Sequence, residues 1–215
     1  IKIPQYYGLN RPPAPTDRPQ AFTLSSSQEL PFGSGKRFLN NGGFFSALLS
    51  GWQVNEVLTR FSGSPFSVSA DGTALNAPGN TQRADQIKPQ VAILGGHGPG
   101  QPYFDPTAFA PVTAARFGTA GYYILRGPGL LNLDVGLFRQ FAIGERWKVQ
   151  FRAEGYNLPN TPNFGNPGAN VSSMQRNSDG SIRSLGGYTE ITSMNSTSRE
   201  GLAERVFQFG VRVSF

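Results

Sequence analysis

The chain has 215 residues, of which 38% are hydrophobic, and its formal net charge is +6. It contains no cysteine, which excludes disulfide bonds and thiolate metal sites built from its own residues. Its basic residues are scattered, with no run longer than Lys36-Arg37, so we expect no binding to nucleic acid.

Glycine and proline, with 27 and 17 copies, favour turns and loops over long helices. The stretch 1–19 is Pro-rich, and we expect it to be an exposed segment that proteases can cut. Because the first residue is Ile1 and not Met, we expect the chain to be a piece of a longer one. The remainder, 20–215, carries the patterns from which the fold is predicted.

Five segments alternate between apolar and polar side chains, the pattern of a strand with two different faces. These segments are 20–30, 51–61, 130–141, 147–157 and 205–215. The alternation in the first segment is weak in its middle, and Glu56 and Arg60 interrupt the second. The last segment has an unbroken apolar row, formed by Phe207, Phe209, Val211, Val213 and Phe215.

The connections between these segments differ widely in length. Residues 142–146 form a tight turn, and 31–50 form a longer link in which "FFSALLSGW" is expected to make one helical turn. Residues 70–129 and 158–204 are long loops rich in Gly, Pro, Asn and Ser. Within the second loop, residues 188–193 are a candidate for a short additional strand.

Alternation by itself fits a soluble β-sandwich as well as an outer-membrane barrel. Strand lengths of about 9–11 residues favour the barrel, because strands of soluble sheets have a mode of about 5–6. Aromatic residues at the strand ends resemble the interfacial girdles of barrels; they are Trp52, Phe141, Trp147, Tyr156 and Phe215. The predicted fold class is therefore all-β, an antiparallel sheet of long strands that is part of a large outer-membrane β-barrel with long Gly/Pro-rich loops.

The sequence predicts no enzyme and no cofactor. His97 is the only histidine, so a catalytic triad or a His-based zinc site would have to use it alone. It lies in the Gly-rich stretch "GGHGPG", where we expect it to be exposed to solvent. The stretch "GSGKR" at 33–37 lacks both the first glycine and the final Ser or Thr of a phosphate-binding loop.

The loop 70–129 offers a candidate ligand-contact site. Tyr103, Phe104 and Phe109 lie in "PYFDPTAFAP", and Arg83 and Asp85 precede them in the same loop. Aromatic side chains on loops can grip sugars or peptides. They can equally pack the loop on itself, and this second interpretation is the one we favour.

Six stretches together carry a resemblance to a known family: "ELPFGSGKRF", "GWQVNEVLTRFSGSPFSV", "ALNAPGNTQRAD", "LRGPGLLNLDVGLFRQF", "FRAEGYNLPNTPNFGNPGANVSS" and "FQFGVRVSF". They resemble TonB-dependent outer-membrane transporters, most closely the Oar-like subgroup with a carboxypeptidase-regulatory-like domain. The resemblance runs from about residue 17 to 215 and concerns only the C-terminal end of such proteins. The plug domain, the TonB-contacting segment and most of the barrel are therefore expected outside this chain.

The resemblance implies a topology in which the C-terminus is periplasmic. The turn 142–146 and the link 31–50 would be periplasmic, whereas 1–19, 70–129 and 158–204 would lie outside the cell. The resemblance also implies that the apolar row ending at Phe215 is the strand that the barrel-assembly machinery reads as an insertion signal.

The predicted function is that of a C-terminal fragment of a TonB-dependent receptor and transporter in the outer membrane, supplying barrel strands and extracellular loops for nutrient uptake. Its expected partners are outer-membrane lipid, the barrel-assembly machinery, and either the remaining barrel strands or copies of itself. The alternative is a fragment that, once released, self-assembles into a β-rich extracellular filament or tube with a structural role.

Overall fold

The computed structural model describes residues 4–195 and 204–215. In chain order, its strands are β1 (Ala21–Glu29), β2 (Trp52–Phe61), β3 (Pro65–Phe66), β4 (Ser69–Asp71), β5 (Thr81–Arg83), β6 (Asp85–Gln86), β7 (Phe109–Ala110), β8 (Leu125–Arg126), β9 (Leu130–Ile143), β10 (Trp147–Tyr156), β11 (Gln175–Arg176), β12 (Ile182–Ser184) and β13 (Val206–Ser214). The α-helix α1 spans Phe44–Leu49, and 3₁₀ turns cover Pro4–Tyr6, Gly8–Asn10, Thr73–Leu75 and Val171–Ser173. Across the described residues, no helix has the length and hydropathy needed to cross a membrane.

The chain divides into two compact units. The sheet unit comprises Gln20–Phe61, Leu130–Asn163 and the described residues 204–215. The loop unit comprises the described residues 4–19 together with Ser62–Gly129 and Phe164–Asn195. Both units are therefore assembled from segments that are distant in sequence.

The sheet unit is a five-stranded antiparallel sheet with the strand order β1-β2-β9-β10-β13. These strands are the five predicted from the alternation, with ends that differ from the prediction by no more than about two residues. The prediction of an all-β antiparallel fold is thus confirmed. The predicted helical turn is also present, as α1, in the connection between β1 and β2.

The loop unit has a hydrophobic core of its own. Short two-stranded sheets pair β3 with β8, β4 with β5, β6 with β7 and β11 with β12. The core packs aromatic side chains against small aliphatic ones: Phe66, Val68, Ala70, Ala84, Tyr103, Phe104, Ala108, Phe109, Ala120, Leu125, Val171, Tyr188 and Ile191. The long loops are consequently folded structure and not open excursions of the chain.

Close backbone crossings hold the loop unit together. A Cβ atom built on Gly63 would lie 1.8 Å from the carbonyl oxygen of Gly127. The two backbone segments can approach this closely because neither glycine carries a side chain. Next to this crossing, the Gly127 amide donates to the Ser64 carbonyl at 3.0 Å.

The N-terminal segment 4–19 belongs to the loop unit. Its Pro-rich middle, residues 11–16, is exposed. Its ends are held by hydrogen bonds, from Tyr6 Oη to the Phe117 carbonyl at 3.5 Å and from Arg18 to the Ser62 carbonyl at 2.6 Å. Arg126 binds both the carboxylate and the carbonyl oxygen of Asp17. The division into an exposed 1–19 segment and a 20–215 barrel region stays a prediction.

One candidate element is not formed. Residues 188–193, considered for an additional strand, make only an isolated bridge between Tyr188 and Gly168, followed by another between Met194 and Phe164. Tyr188 is almost fully buried in the loop core, and the chain turns at Leu185–Glu190 through backbone hydrogen bonds, so it never extends far enough to pair as a strand.

Candidate functional site

The register of the sheet collects the apolar rows of neighbouring strands on one face, the apolar face. Val213 pairs with Val149, Val211 with Phe151 and Phe209 with Ala153. Residues that are paired in register point to the same side of a sheet. The pairings of β10 with β9, β9 with β2 and β2 with β1 therefore show that the apolar face extends across all five strands. Its members on those strands include Leu137, Leu133, Val54, Leu58, Leu24 and Phe22. Phe209 and Val211 are 70% and 67% exposed, so this face is uncovered within the unit.

The opposite face of the sheet is polar. On β10 it carries Lys148, Gln150, Arg152 and Glu154, and these pair with Ser214, Arg212, Gly210 and Gln208 of β13. Arg152 lies 3.5 Å from the Glu154 carboxylate, and its guanidinium carbon lies 5.0 Å from the centre of the Phe138 ring. Gly136 makes room for that ring, since a Cβ there would lie 2.6 Å from Phe138. An apolar face opposite a polar face is what a barrel wall between lipid and an aqueous lumen requires.

A shallow cleft of about 320 Å³ opens on the polar face. Its lining includes Asn55, Asp134, Arg152, Glu154 and Tyr156. Asn55 Oδ1 is buried there without a hydrogen-bond partner among the described residues. The cleft therefore presents charged and polar side chains to whatever occupies this side of the sheet.

Aromatic residues gather at the end of the sheet where the β9–β10 turn lies. The Trp147 and Phe215 rings are 5.2 Å apart, and the Trp52 and Phe151 rings are 6.0 Å apart and nearly perpendicular. Both tryptophans lie in the apolar rows, as the alternation predicts. Trp147 is 50% exposed and Phe215 is 93% exposed. The predicted use of the β13 row as an assembly signal stays a prediction.

Arg139 is the one cation that the register of β9 places in the apolar row. It pairs with Trp52, two residues from the aromatic Phe141 on the same face. An arginine on the lipid face costs about 2–4 kcal/mol at the bilayer midplane but only about 0–1 near the interfaces. Arg139 lies toward the turn end, and its guanidinium is 4.4 Å from the Phe141 ring and 5.6 Å from the Trp52 ring. Its position near the strand end keeps this cost low.

A buried polar network that the sequence did not reveal closes the other end of β10. Asn157 follows the strand in the left-handed conformation, with φ of 46°, and is almost fully buried. Its amide N–H donates to Asp134 at 2.9 Å, and its side chain exchanges two hydrogen bonds of 3.1 Å with the Thr161 backbone. Asn163 accepts from the Leu131 amide at 2.9 Å. The motif "YNLPNTPN" thus fixes where β9 begins and β10 ends.

The candidate ligand-contact residues lie in the loop unit, and most are buried. Phe104 and Phe109 have no exposed surface, and their rings meet edge to face at 6.2 Å. Tyr103 is 8% exposed, and burial raises the pKa of its hydroxyl, which donates to the Arg126 carbonyl at 3.4 Å. These three side chains pack the loop on itself, the alternative favoured from the sequence. Ligand contact through them stays a prediction.

Arg83 is buried, with 3% of its surface exposed. It donates to the carbonyls of Leu9 and Ala120, both at 3.1 Å, and to the side chain of Asn10. Its guanidinium carbon lies 3.9 Å from the centre of the Tyr122 ring. Arg83 therefore ties the N-terminal segment to the loop core.

Asp85 forms a bidentate ion pair with Arg116, with both N–O distances at 2.7 Å, and accepts from the Thr119 amide at 3.2 Å. The hydrogen bond from Arg116 holds the pKa of the Asp85 carboxyl below its usual value. Arg83 and Asp85 are thus engaged by separate groups of the loop unit and do not form one shared site.

His97 is exposed, as predicted from its Gly-rich surroundings. Its ring stacks on Phe164, with centroids 4.2 Å apart, at the edge of a cleft of about 380 Å³. Ile191, Ser193 and Met194 also line this cleft. The cleft is mainly apolar, and sequence patterns gave no signal for it because its residues come from two distant loops.

Comparison with protein-family models gives a match over most of the chain. The family model described as "Outer membrane beta barrel domain" matches residues 1–208. No curated protein and no solved structure matches the chain. The matched range covers strands β1 to β12 and the loops described above, and it ends within β13. Such a domain resides in the outer membrane. The chain belongs to the outer membrane beta barrel domain family.

Proposed function

We propose that the chain supplies strands and extracellular loops of a TonB-dependent outer-membrane transporter that takes up a nutrient. The subgroup is suggested by the sequence stretches that resemble such transporters, which include "GYNLPNTPNF" and "FQFGVRVSF". The family match is coarser and establishes the barrel domain only.

The observation that carries the proposal is the asymmetry of the connections. Phe61 at the end of β2 pairs with Leu130 at the start of β9, and Tyr156 at the end of β10 pairs with Val206 at the start of β13. Both long connections, 62–129 and 157–205, therefore leave from the same end of the sheet. The other end carries the connections 30–51 and 144–146, of which the second is a tight turn. Outer-membrane barrels have this arrangement, with short periplasmic turns and long extracellular loops.

The long connections also fold in a manner suited to selective uptake. Most of their residues form the loop unit, whose core contains Phe104, Phe109 and Tyr188. A folded body presents pre-organised surfaces to a solute, which lowers the cost of binding compared with a disordered loop. The exposed cleft beside His97 is one such surface.

The sheet itself points to a larger barrel. β1 and β13 are its edges, and five strands cannot close because the smallest membrane barrels use about eight. Plugged outer-membrane transporters use about 22. We therefore propose further strands of the same barrel, outer-membrane lipid and the barrel-assembly machinery as partners.

The proposal is tested with the protein in its full natural length. In planar lipid bilayers, a plugged transporter holds its lumen closed, so we expect no steady ionic conductance. In the producing bacterium, deleting its gene should abolish uptake of at least one iron chelate, oligosaccharide or peptide from a labelled panel, and deleting tonB should abolish the same uptake. Steady open-channel conductance together with uptake that persists without TonB would contradict the proposal and indicate a passive pore.

A further inference from the structure

The helix α1, in the connection between β1 and β2, has its apolar side turned outward. Phe44 and Phe45 are 75% and 66% exposed, and Leu48 and Leu49 are 49% and 36% exposed. The spacing of these four residues places them on one stripe of the helix. Ser46, a polar residue, is the one that is buried. This distribution is the reverse of that expected for a helix in contact with water.

Two side chains of the apolar face hold the C-terminal end of α1. Trp52 Nε1 donates to the Leu48 carbonyl at 2.9 Å. Arg139 donates to the carbonyls of Ala47 and Leu48, the former at 2.5 Å. Both donors lie in the apolar rows and are paired with each other in the register of β2 and β9. The helix is therefore fastened to the same side of the sheet that carries the apolar rows.

This attachment also accounts for Arg139 in an apolar row. Its guanidinium satisfies carbonyl groups that the last turn of a helix leaves without partners, and the Trp52 and Phe141 rings flank its charge. A cation that is paired with backbone oxygens and aromatic rings at a strand end suits the boundary between headgroups and acyl chains.

Other exposed apolar groups lie at the same end of the sheet as the residues that hold α1. They are Phe141, Ile143, Trp147 and Phe215, with exposures of 40%, 58%, 50% and 93%. All lie in or directly beyond the apolar rows of β9, β10 and β13. In this family the apolar face of the sheet meets lipid. The stripe of α1 thus adds four exposed apolar side chains to the end of the sheet at which these groups lie.

We propose that α1 is a membrane-interface anchor, whose Phe44, Phe45, Leu48 and Leu49 side chains insert among phospholipids at the turn end of the barrel wall. The occupant of this surface is the bilayer and not a protein segment. The contact does not depend on what the barrel transports or on TonB. The anchor proposal can therefore fail while the transporter proposal stands, and the transporter proposal can fail while the anchor proposal stands.

Site-directed spin labelling tests the proposal in the full-length protein. Because this chain contains no cysteine, each single substitution adds one labelling site to it, and any cysteine elsewhere in the full-length protein is first replaced by serine. Phe45→Cys reports on α1, Val211→Cys on the apolar face as the lipid reference, and Glu145→Cys on the exposed β9–β10 turn as the water reference. Each labelled protein is reconstituted into vesicles of phosphatidylethanolamine and phosphatidylglycerol. Relaxation by oxygen and by a water-soluble nickel chelate is then measured.

We expect the label at Phe45 to behave as at Val211, with relaxation by oxygen retained and relaxation by nickel lost. Nickel relaxation equal to that at Glu145 would place the stripe in water and overturn the proposal. Loss of relaxation by both agents would mean that protein covers α1, which also overturns it. Folding of each variant is checked by its heat-modifiable mobility on gels. If Phe45→Cys does not fold, Phe44→Cys, on the more exposed neighbouring residue, gives the same measurement.

Discussion

The rings of Trp147 and Phe215 lie 5.2 Å apart, one at the start of β10 and the other directly after the end of β13. Trp147 is therefore covered on one side by the final aromatic of the row, while most of the Phe215 surface remains open. Among the aromatic residues at this end of the sheet, Phe215 is therefore the most accessible one.

Deletion of Phe215 in the full-length protein is predicted to lower insertion into the outer membrane sharply, because the resemblance implies that the terminal aromatic is part of the assembly signal. The amount of heat-modifiable, folded barrel in outer-membrane fractions measures this. Phe215→Tyr keeps the aromatic ring and should restore insertion. Equal amounts of folded barrel with and without Phe215 would show that the ring has no such role.

Replacement of Asn157 is predicted to destabilise the sheet by about 1–3 kcal/mol, the usual cost of leaving buried hydrogen-bonding groups without partners. Asn157→Ala also loses the tolerance of asparagine for the left-handed conformation at this position. Urea unfolding followed by tryptophan fluorescence measures the change.

Asn157→Gly separates the two causes, because glycine accepts the left-handed backbone but cannot make the side-chain hydrogen bonds to Thr161. We expect its unfolding midpoint to lie between those of the wild type and Asn157→Ala. A Gly variant as stable as the wild type would mean that the hydrogen bonds contribute nothing measurable.

The ion pair of Asp85 and Arg116 predicts a pH dependence of the loop unit. The pKa of Asp85 is lowered in the folded protein, mainly by the hydrogen bond from Arg116. Its contribution to stability is therefore complete above the ordinary aspartate pKa of about 4 and is lost as the pH falls through the lowered value.

Cleavage of the loop unit by pepsin at several acidic pH values measures this dependence, after correction for the activity of pepsin on an unfolded substrate. Arg116→Gln should raise the pH at which the loop unit becomes susceptible, because it removes the main cause of the lowered pKa. Lys36→Gln removes a cation from the sheet unit and serves as the control. The same pH profile for Arg116→Gln and wild type would contradict the prediction.

Gly63→Ala is predicted to disrupt the loop unit, because the new Cβ would lie 1.8 Å from a backbone carbonyl oxygen that cannot move independently. Increased cleavage of the loop unit by trypsin in folded barrels is the expected result. Gly8→Ala is the matched control, since nothing lies within 4 Å of a Cβ at Gly8 in the same unit. Equal cleavage of the two variants would argue against a close crossing at Gly63.

The strands of the sheet were predictable because each has one apolar and one polar face. A strand with two different faces requires apolar and polar residues to alternate along the sequence. The β13 row from Phe207 to Val213 shows it without interruption. Two of the exceptions have structural reasons. Arg139 binds the carbonyls of α1, and Glu56 accepts a hydrogen bond from Ser26 on the neighbouring strand at 3.3 Å.

The core of the loop unit could not be predicted in this way. Its strands contain two or three residues each, too few to show a period. The contacts that define it join residues far apart in sequence, such as Arg83 with Leu9 and Phe104 with Tyr188. The aromatic residues Tyr103, Phe104 and Phe109 stand out in the sequence, but whether they face a ligand or one another depends on pairings that no local pattern records.

The pairing of Phe61 with Leu130 also bears on how the protein folds. β9 and β10 are joined by a tight turn, so their hairpin forms with little loss of chain entropy. β2 reaches β9 only after the whole of 62–129 has been closed into a loop, and each doubling of loop length adds about 0.6 kcal/mol to that cost. We therefore expect the β9–β10 hairpin to form first. Within the folded loop unit Gly63 and Gly127 cross closely, so a loop unit that formed early would hold the ends of this connection together and lower that cost.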